Sequence, residues 1–155
     1  MEKKYSRKRR KLAIRDEKYT GAPAFPVSNG VELTRTIRES VPRIQFENIA
    51  LEILGERYSL SLVLCGDLLA RRINRAYRKK NYSSNVLSFS LTEHEGEIFL
   101  NVRKAQREAK TLRIGERARI AHLFIHGCLH LNGYRHGQRM EALEQKLLRK
   151  FDFLP

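Results

Sequence analysis

The chain has 155 residues, and its 31 Lys and Arg against 17 Asp and Glu give a formal net charge of +14 at pH 7. This length suits one domain, and 41% apolar residues are enough to form a core, which excludes disorder of the whole chain. The longest unbroken apolar stretches, such as residues 62–65, fall far short of the roughly 20 residues that a membrane-spanning helix needs. The basic start of the chain also lacks the apolar segment of a secretory signal, so we expect a cytoplasmic protein with no membrane partner.

The positive charge is divided between two parts of the chain. Residues 1–20 carry nine Lys or Arg against three acidic residues, and residues 21–155 retain a net charge of +8. We predict a basic flexible extension over residues 1–26 and one folded domain over residues 27–155. The extension suits a solvated segment or a nucleic-acid arm. A basic domain as well indicates a polyanionic partner, although charge alone does not choose between RNA, DNA and an anionic membrane surface.

The first half of the domain is predicted to alternate helix, strand and helix. Apolar spacing indicates a helix over residues 42–54, ended by Gly55. Alternating leucines predict a strand over residues 59–65, and Asp67 after it reads as the N-cap of the next helix. That helix has apolar residues three and four apart and a basic exposed face.

The second half is predicted to hold two further strands and three helices. The strands cover residues 85–91 and 97–102 and meet at a turn at Glu95–Gly96. The helices cover residues 103–113, 116–131 and 139–151, and the middle one is apolar on many sides, so it should lie at the centre of the fold. The fold class is therefore α+β: a single small domain with a short mixed β-sheet of about four strands packed with about five helices, and a metal site on the central helix. Cys65 and Cys128 are predicted to be reduced, buried thiols.

Four of the five histidines lie within fifteen residues, at His122, His126, His130 and His136. His126 and His130 are four apart, so on a helix their rings stand on one face about one turn apart, the separation at which two imidazoles can meet one metal ion. The turn at 132–133 allows His136 to return to the same point. The set 122, 126 and 130 is also conceivable, but three ligands along one straight helix span too much length. His122 is therefore interpreted as a supporting or substrate-contacting group.

The ligand spacing H-x3-H-x2-G-x2-H equals that of the metzincin zinc proteases. Those enzymes need a Glu directly after the first His as the general base, and here Gly127 stands in its place. Three neutral histidines leave a fourth position for water, which is the ligand set of a catalytic zinc site rather than of a closed structural one. The sequence therefore predicts a zinc site and speaks against peptide hydrolysis by the usual route.

The segment HGCLHLNGYRHG at residues 126–137 resembles the signature H-G-x-L-H-L-x-G-Y-D-H of the YbeY family of bacterial endoribonucleases. Three further segments are similar to family patterns in the same order: NRAYR at 74–78, SNVLSFS at 84–90, and GEI at 96–98 with its following helix. The chain departs from the family in having Arg135 for Asp, Ser90 for Pro and Glu97 for Asp. An acidic residue beside a metal-bound His can orient its ring, so Glu97, Glu141 or Glu144 is a candidate for that role in place of residue 135.

The resemblance implies a single-strand-specific, metal-dependent endoribonuclease that acts in ribosomal RNA processing and maturation and in ribosome quality control. It implies His126, His130 and His136 as metal ligands and catalytic residues, and it favours Arg78 as a catalytic cation that grips a phosphate. We expect one Zn²⁺ per chain, and Ni²⁺ also suits three histidines. The expected partners are single-stranded RNA, ribosomal RNA, and the ribosome or its proteins.

Other parts of the surface are predicted to assist RNA binding. Tyr77, Tyr82 and Tyr134 are candidates for stacking on bases, with a core role equally open for Tyr77. Two sets of cations are candidates for guiding the RNA backbone: Arg71, Arg72, Arg75, Lys79 and Lys80 on one helix, and Arg103, Lys104, Arg107, Lys110 and Arg113 on another. Two alternatives remain open from the sequence: a metal-stabilised RNA-binding ribosome-assembly factor without catalysis, and a zinc metallohydrolase of another substrate.

Overall fold

A computed structural model describes residues 30–154. The predicted flexible extension at residues 1–26 lies outside the described residues, so that boundary stays a prediction. Within residues 30–154 no helix is both long enough and apolar enough to cross a membrane.

The sheet is mixed and has four strands in the described chain, in the order β1-β2-β4-β3. The strands are β1 Gly30–Arg35, β2 Ser59–Cys65, β3 Val86–Thr92 and β4 Glu95–Asn101. Strand β2 pairs in parallel with β1 and with β4, whereas β3 pairs antiparallel with β4. As a result β3 forms one edge of the sheet and β2 is buried along its whole length.

The helices are α1 Phe46–Leu54, α2 Asp67–Arg78, α3 Val102–Leu112, α4 Glu116–Leu131 and α5 Gln138–Lys150. Side chains of α1, α4 and α5 bury one face of the sheet in a core that includes Ile49, Leu62, Phe124 and Leu147. Helix α2 buries a smaller cluster on the opposite face, around Ile73 and Phe99. The predicted α+β class is confirmed, and helix α4 is central, as its apolar sides indicated.

Both cysteines are free and buried, as predicted. Cys128 lies in the larger core and Cys65 in the smaller one. Burial raises the pKa of the Cys65 thiol to about 12 and that of Cys128 further still. Both thiols are therefore neutral at physiological pH and behave as apolar core groups.

Three local predictions were wrong. The residues predicted as the Glu95–Gly96 turn begin strand β4, and the turn lies at 93–94; Gly96 is a glycine because a side chain there would collide with the Tyr58 hydroxyl and with Leu131. Residues 42–45 are not helical, since α1 begins at Phe46. Asp67 is the first helical residue, and the N-cap is Gly66. The Asp67 carboxylate instead accepts hydrogen bonds from the side chains of Asn101 and Arg107.

Candidate metal centre and active-site cleft

Helix α4 carries the first two histidines on one side, one turn apart. The ring centroids of His126 and His130 are 4.5 Å apart, and the two Nε2 atoms are 3.0 Å apart. Both rings are half-buried, while the residues beside them on the helix, including Ile125 and Leu129, are buried in the core. The packing of α4 therefore fixes the direction in which both rings point.

The third histidine reaches the same place through the turn that follows α4. The helix ends at Leu131, and Gly133 then adopts a φ of +91°, a conformation that favours glycine. The chain reverses there, and the His136 ring lies 5.0 Å from that of His126 and 4.5 Å from that of His130, measured between centroids. One nitrogen from each of the three rings lies within 4.8 Å of the others.

Hydrogen bonds on the far sides of two rings fix which nitrogen faces this point. His126 Nδ1 lies 2.7 Å from Glu144 Oε1, and His130 Nδ1 lies 3.0 Å from the Tyr134 carbonyl oxygen. Both partners accept hydrogen bonds, so each Nδ1 is assigned as the N–H donor. The two Nε2 lone pairs then point at each other, an arrangement that is repulsive between neutral rings and that a cation between them stabilises.

The donor set fits a transition-metal ion. Four ligands around Zn²⁺ at about 2.0–2.1 Å are separated from one another by about 3.3 Å, close to the 3.0 Å between the two Nε2 atoms. Burial, with the nearby His126, lowers the pKa of His130, which keeps the ring in the neutral form that binds metals. His136 is exposed, so the point where the rings meet is open on one side.

Glu144 connects the metal site to the body of α5. Its Oε1 accepts from His126, and its Oε2 accepts from His122 Nε2 at 2.8 Å. Burial opposes ionisation of this carboxyl, but the hydrogen bonds from the two histidines outweigh it, so the pKa of Glu144 lies below its usual value. Of the acidic candidates named from the sequence, Glu144 contacts the predicted ligand His126. Glu141 is exposed, as is Arg135, and Glu97 is buried in strand β4.

His122 belongs to the support of the site and not to the histidine triad. Its Nε2 faces Glu144, and its Nδ1 lies 3.4 Å from Arg119 Nη1. Arg119 in turn forms an ion pair with Glu108 of α3 at 3.1 Å. A chain of polar contacts therefore runs from the His126 ring across α5 and α4 to α3.

A cleft of about 750 Å³ opens beside the three histidines. It is lined by Tyr77, Arg78, residues 86–90, His126, His130 and His136. Arg78, the predicted second cation, lies at the exposed end of α2 and shares this cleft with the triad. The structure thus brings all four predicted site residues to one cavity.

The three candidate tyrosines have different surroundings. Tyr77 is buried, and its ring lies 5.2 Å from that of Phe89, as expected for a core residue. Tyr82 is 51% exposed, with the Lys104 ammonium 5.7 Å from its ring centre. Tyr134 packs partly against the core, and its carbonyl oxygen is the group that orients His130.

The two predicted cationic helices differ in how far their charges are neutralised. On α3, Arg103 pairs with Glu39 at 2.7 Å and Arg107 pairs with Asp67 at 2.8 Å, while Lys110 and Arg113 remain exposed. At the end of α2, the side chains of four exposed cations form no ion pair with any other residue between 30 and 154: Arg75, Arg78, Lys79 and Lys80. Arg78, which lines the cleft, is therefore one of the cations that have no carboxylate partner within residues 30–154.

Gly127 stands where the metzincins have their general base, and the packing of α4 on the sheet explains it. A Cβ atom at this position would lie 2.9 Å from Ser88 Oγ and 3.1 Å from Ile98 Cδ1. The Gly127 carbonyl accepts a hydrogen bond from the same Ser88 hydroxyl at 3.2 Å. A side chain at residue 127 would therefore crowd strands β3 and β4.

The family model and the curated relatives that match this chain carry the same family description. A family model described as Endoribonuclease YbeY matches residues 28–152. Curated relatives named Endoribonuclease YbeY include the protein of Anaplasma phagocytophilum, 40% identical over 111 residues (64% of this chain and 72% of that protein), and the protein of Cupriavidus metallidurans, 32% identical over 151 residues (86% and 76%). The protein of Gluconobacter oxydans, with the same name, is 38% identical over 100 residues, and the match spans 60% of each chain.

A solved structure supports the fold independently. The solution structure of a protein from Thermotoga maritima matches with a TM-score of 0.61 at 19% sequence identity, covering 78% of this chain and 88% of the other.

Proposed function

Because the chain belongs to the YbeY endoribonuclease family, we propose that it is a metal-dependent endoribonuclease that cleaves single-stranded RNA. The resemblance seen in the sequence is confirmed, and the prediction of an enzyme is confirmed at the level of the family, which is one of hydrolytic endoribonucleases. The observation that carries the proposal is the convergence of three imidazoles in a cleft that also holds Arg78. Ribosomal RNA maturation, ribosome quality control, and binding to the ribosome or its proteins are part of the proposal on the strength of the family.

We assign the metal to His126, His130 and His136, and zinc is the ion that three imidazoles with one open side suit best. Nickel also suits this donor set, because such ligands discriminate weakly between late first-row metals. When bound, the ion supplies Lewis-acid chemistry toward a phosphate ester or a water molecule. The chain itself supplies the orientation: Glu144 and the Tyr134 carbonyl each hold one ring by its far nitrogen.

Arg78 is proposed to bind the phosphate group that is attacked. Its guanidinium can donate two parallel hydrogen bonds to phosphate oxygens, which a Lys ammonium does not reproduce. Arg75, Lys79 and Lys80 are exposed cations next to Arg78 along the chain and add positive charge near it. Binding of RNA should therefore weaken steeply as salt concentration rises.

The steric exclusion of a side chain at Gly127 speaks against a peptidase. A protease of metzincin type needs a carboxylate at that position, where it serves as the general base. In this fold the same position faces the sheet. A peptidase of that type is therefore disfavoured.

The test compares three forms of the protein on a single-stranded RNA. The zinc-loaded wild type should cleave it, His130→Ala should lose at least about 100-fold in rate because a ligand is missing, and His94→Ala should match the wild type because His94 is exposed in the β3–β4 turn. Equal cleavage by wild type and His130→Ala refutes the assignment. RNA that binds but stays intact with the zinc-loaded protein points instead to an RNA-binding assembly factor.

Metal content provides a separate measurement. Mass spectrometry of protein purified without added metal should find about one transition-metal ion per chain. The His130→Ala variant should fall well below that ratio, whereas His94→Ala should retain it. A folded wild type that holds no metal and is unaffected by chelation contradicts the proposed centre.

A further inference from the structure

The edge of the sheet forms one wall of the cleft that holds the histidines. Strand β3 pairs with β4 on one side, and no strand of the described chain lies on its other side. Five consecutive residues of β3, from Val86 to Ser90, line the cleft beside His126, His130 and His136. A row of backbone donors and acceptors therefore runs along the proposed reaction site.

The register of the β3–β4 pair shows which backbone groups face outward. Val86 lies opposite Leu100, and one step earlier the Asn101 N–H donates to the Asn85 carbonyl at 2.8 Å. In an antiparallel pair, hydrogen-bonded and non-hydrogen-bonded positions alternate. Leu87 and Phe89 thus direct their backbone groups at β4, whereas residues 86, 88 and 90 direct theirs away from the sheet.

The two outward positions at Ser88 and Ser90 match the geometry of a nucleic-acid strand. Alternate residues of a strand are separated by about 6.6 Å, a spacing comparable with that between successive phosphates of an extended single strand. Each position offers an N–H, which can donate to a phosphate oxygen, and a C=O, which can accept from a 2′-hydroxyl. Such contacts would involve the sugar–phosphate backbone and not the bases.

We propose that the substrate RNA lies along the edge of β3, with the N–H groups of Ser88 and Ser90 bound to successive phosphates and their carbonyls bound to 2′-hydroxyls. This inference rests on the proposed function. It adds the path that the RNA takes along the protein and, through the 2′-hydroxyls, a way to distinguish RNA from DNA. The contacts need an extended strand, so a paired helix, whose phosphates follow a curved path, is bound less well. Arg78 lines the same cleft and binds the phosphate nearest the histidines.

An extended peptide is the other chain that could pair with an exposed strand edge. Two observations favour RNA. Arg78 lines the cleft, and it and its exposed neighbours Arg75, Lys79 and Lys80 pair with no carboxylate among residues 30–154, which favours a polyanion. Gly127 stands where a peptidase of this ligand spacing has its carboxylate, and a side chain there would crowd Ser88 and Ile98. A peptide is therefore treated as the competing result of the experiment.

Ser90 allows one N–H to be removed with little disturbance. Because this group faces away from β4, a proline at residue 90 removes no hydrogen bond of the sheet, and proline is tolerated at such edge positions. The YbeY pattern itself carries Pro at this position, so this chain has a donor that the pattern lacks. Ser90→Ala is the matched variant, since it removes the hydroxyl and keeps the N–H.

Steady-state cleavage of one single-stranded RNA by the zinc-loaded variants is the first test. We expect the KM of Ser90→Pro to be about tenfold above that of Ser90→Ala, the effect of one lost hydrogen bond to a charged group, with kcat equal in the two. Equal KM values in two folded variants overturn the inference and leave the proposed function standing. If the wild type cleaves no single-stranded RNA, the proposed function itself is refuted.

Backbone amide spectra keep the inference testable if the proline variant does not fold. In ¹⁵N-labelled wild type the Ser88 and Ser90 amides should exchange with solvent much faster than those of Leu87 and Phe89. Adding a single-stranded RNA of about 10 nucleotides to metal-free protein, which does not cleave it, should shift and protect the two serine amides. RNA that leaves both unchanged overturns the inference, as does an extended peptide that shifts them when RNA does not.

Discussion

Replacing Glu144 with Gln should weaken metal binding by about 10- to 100-fold, or roughly 1.4–2.7 kcal/mol. Only 8% of the Glu144 side chain is exposed, and its two oxygens accept from His126 at 2.7 Å and from His122 at 2.8 Å. Gln has nearly the same volume, so the surrounding core stays packed. The substitution therefore changes the charge and the hydrogen bonding and leaves the shape of the site intact.

The hydrogen-bond pattern shows why Gln cannot replace both contacts. If the amide oxygen accepts from His126, the amide NH₂ faces His122 Nε2 and requires that nitrogen to be an acceptor. The proton of His122 then moves to Nδ1, which lies 3.4 Å from Arg119 Nη1, itself only a donor. One hydrogen bond among His126, residue 144, His122 and Arg119 must therefore be lost. The His126 ring also loses a charged partner that raises its basicity toward the metal.

Titration of metal-free protein with Zn²⁺ against a competing chelator measures this effect. Glu141→Gln is the matched control, because Glu141 lies on the same helix and is exposed. The thermal stability of both variants should be compared in the metal-free state, where a merely structural role of Glu144 would appear. If Glu144→Gln binds Zn²⁺ within twofold of Glu141→Gln, then the carboxylate does not position His126 and the reasoning is wrong.

Three further outcomes follow from other residues. Arg78→Lys should lower kcat/KM on single-stranded RNA by about tenfold, because bidentate phosphate binding is lost. Arg75 is exposed one turn earlier and lies outside the cleft wall, so Arg75→Lys should keep kcat/KM within about twofold of the wild type. Equal losses in the two variants would contradict the role assigned to Arg78. The hydrogen bonds from the Arg107 guanidinium are the main cause that lowers the pKa of Asp67 from 3.8 to about 2, so the stabilisation is fully present above about pH 4 and is lost as the pH falls through about 2. Since the pair is partly exposed, Asp67→Asn should reduce the free energy of unfolding by about 1 kcal/mol at pH 7 and by much less near pH 2, as urea denaturation can show. Gly127→Ala should destabilise the protein by about 1–2 kcal/mol in the same denaturation assay, because crowding against β3 exceeds the gain in helix propensity; an unchanged or higher stability would contradict the crowding.

The features that could be predicted from the sequence are those set by local spacing. Strand β2 and helix α4 begin and end at the predicted residues, because the alternation of leucines and the long apolar period both lie within single segments. The meeting of the three histidines needs only a helical turn and a glycine turn, and both are visible in the chain. Local spacing does not predict the position of the cleft wall, because that depends on the order of the strands in the sheet.

The features that could not be predicted depend on contacts between distant segments. Strand β1 has few apolar residues, and it is a strand because it pairs with β2. The sequence predicts the turn between β3 and β4 two residues too late, because Gly96 resembles a turn residue, whereas the close approach of Tyr58 requires a glycine there. The choice of Glu144 among three acidic residues depends on how α5 packs across α4, which no local pattern encodes.

The net charge illustrates the same division between local pattern and fold. The sequence presents two basic helices of equal weight, and their composition gives no reason to prefer one. In the structure, carboxylates from other segments neutralise Arg103 and Arg107 on α3, whereas the exposed cations at the end of α2 have no such partner among residues 30–154. Attraction of a polyanion depends on the unpaired charges and the surface that they share. It is therefore the pairing, and not the count of basic residues, that favours the cleft lined by Arg78 and the three histidines as the proposed binding site for RNA.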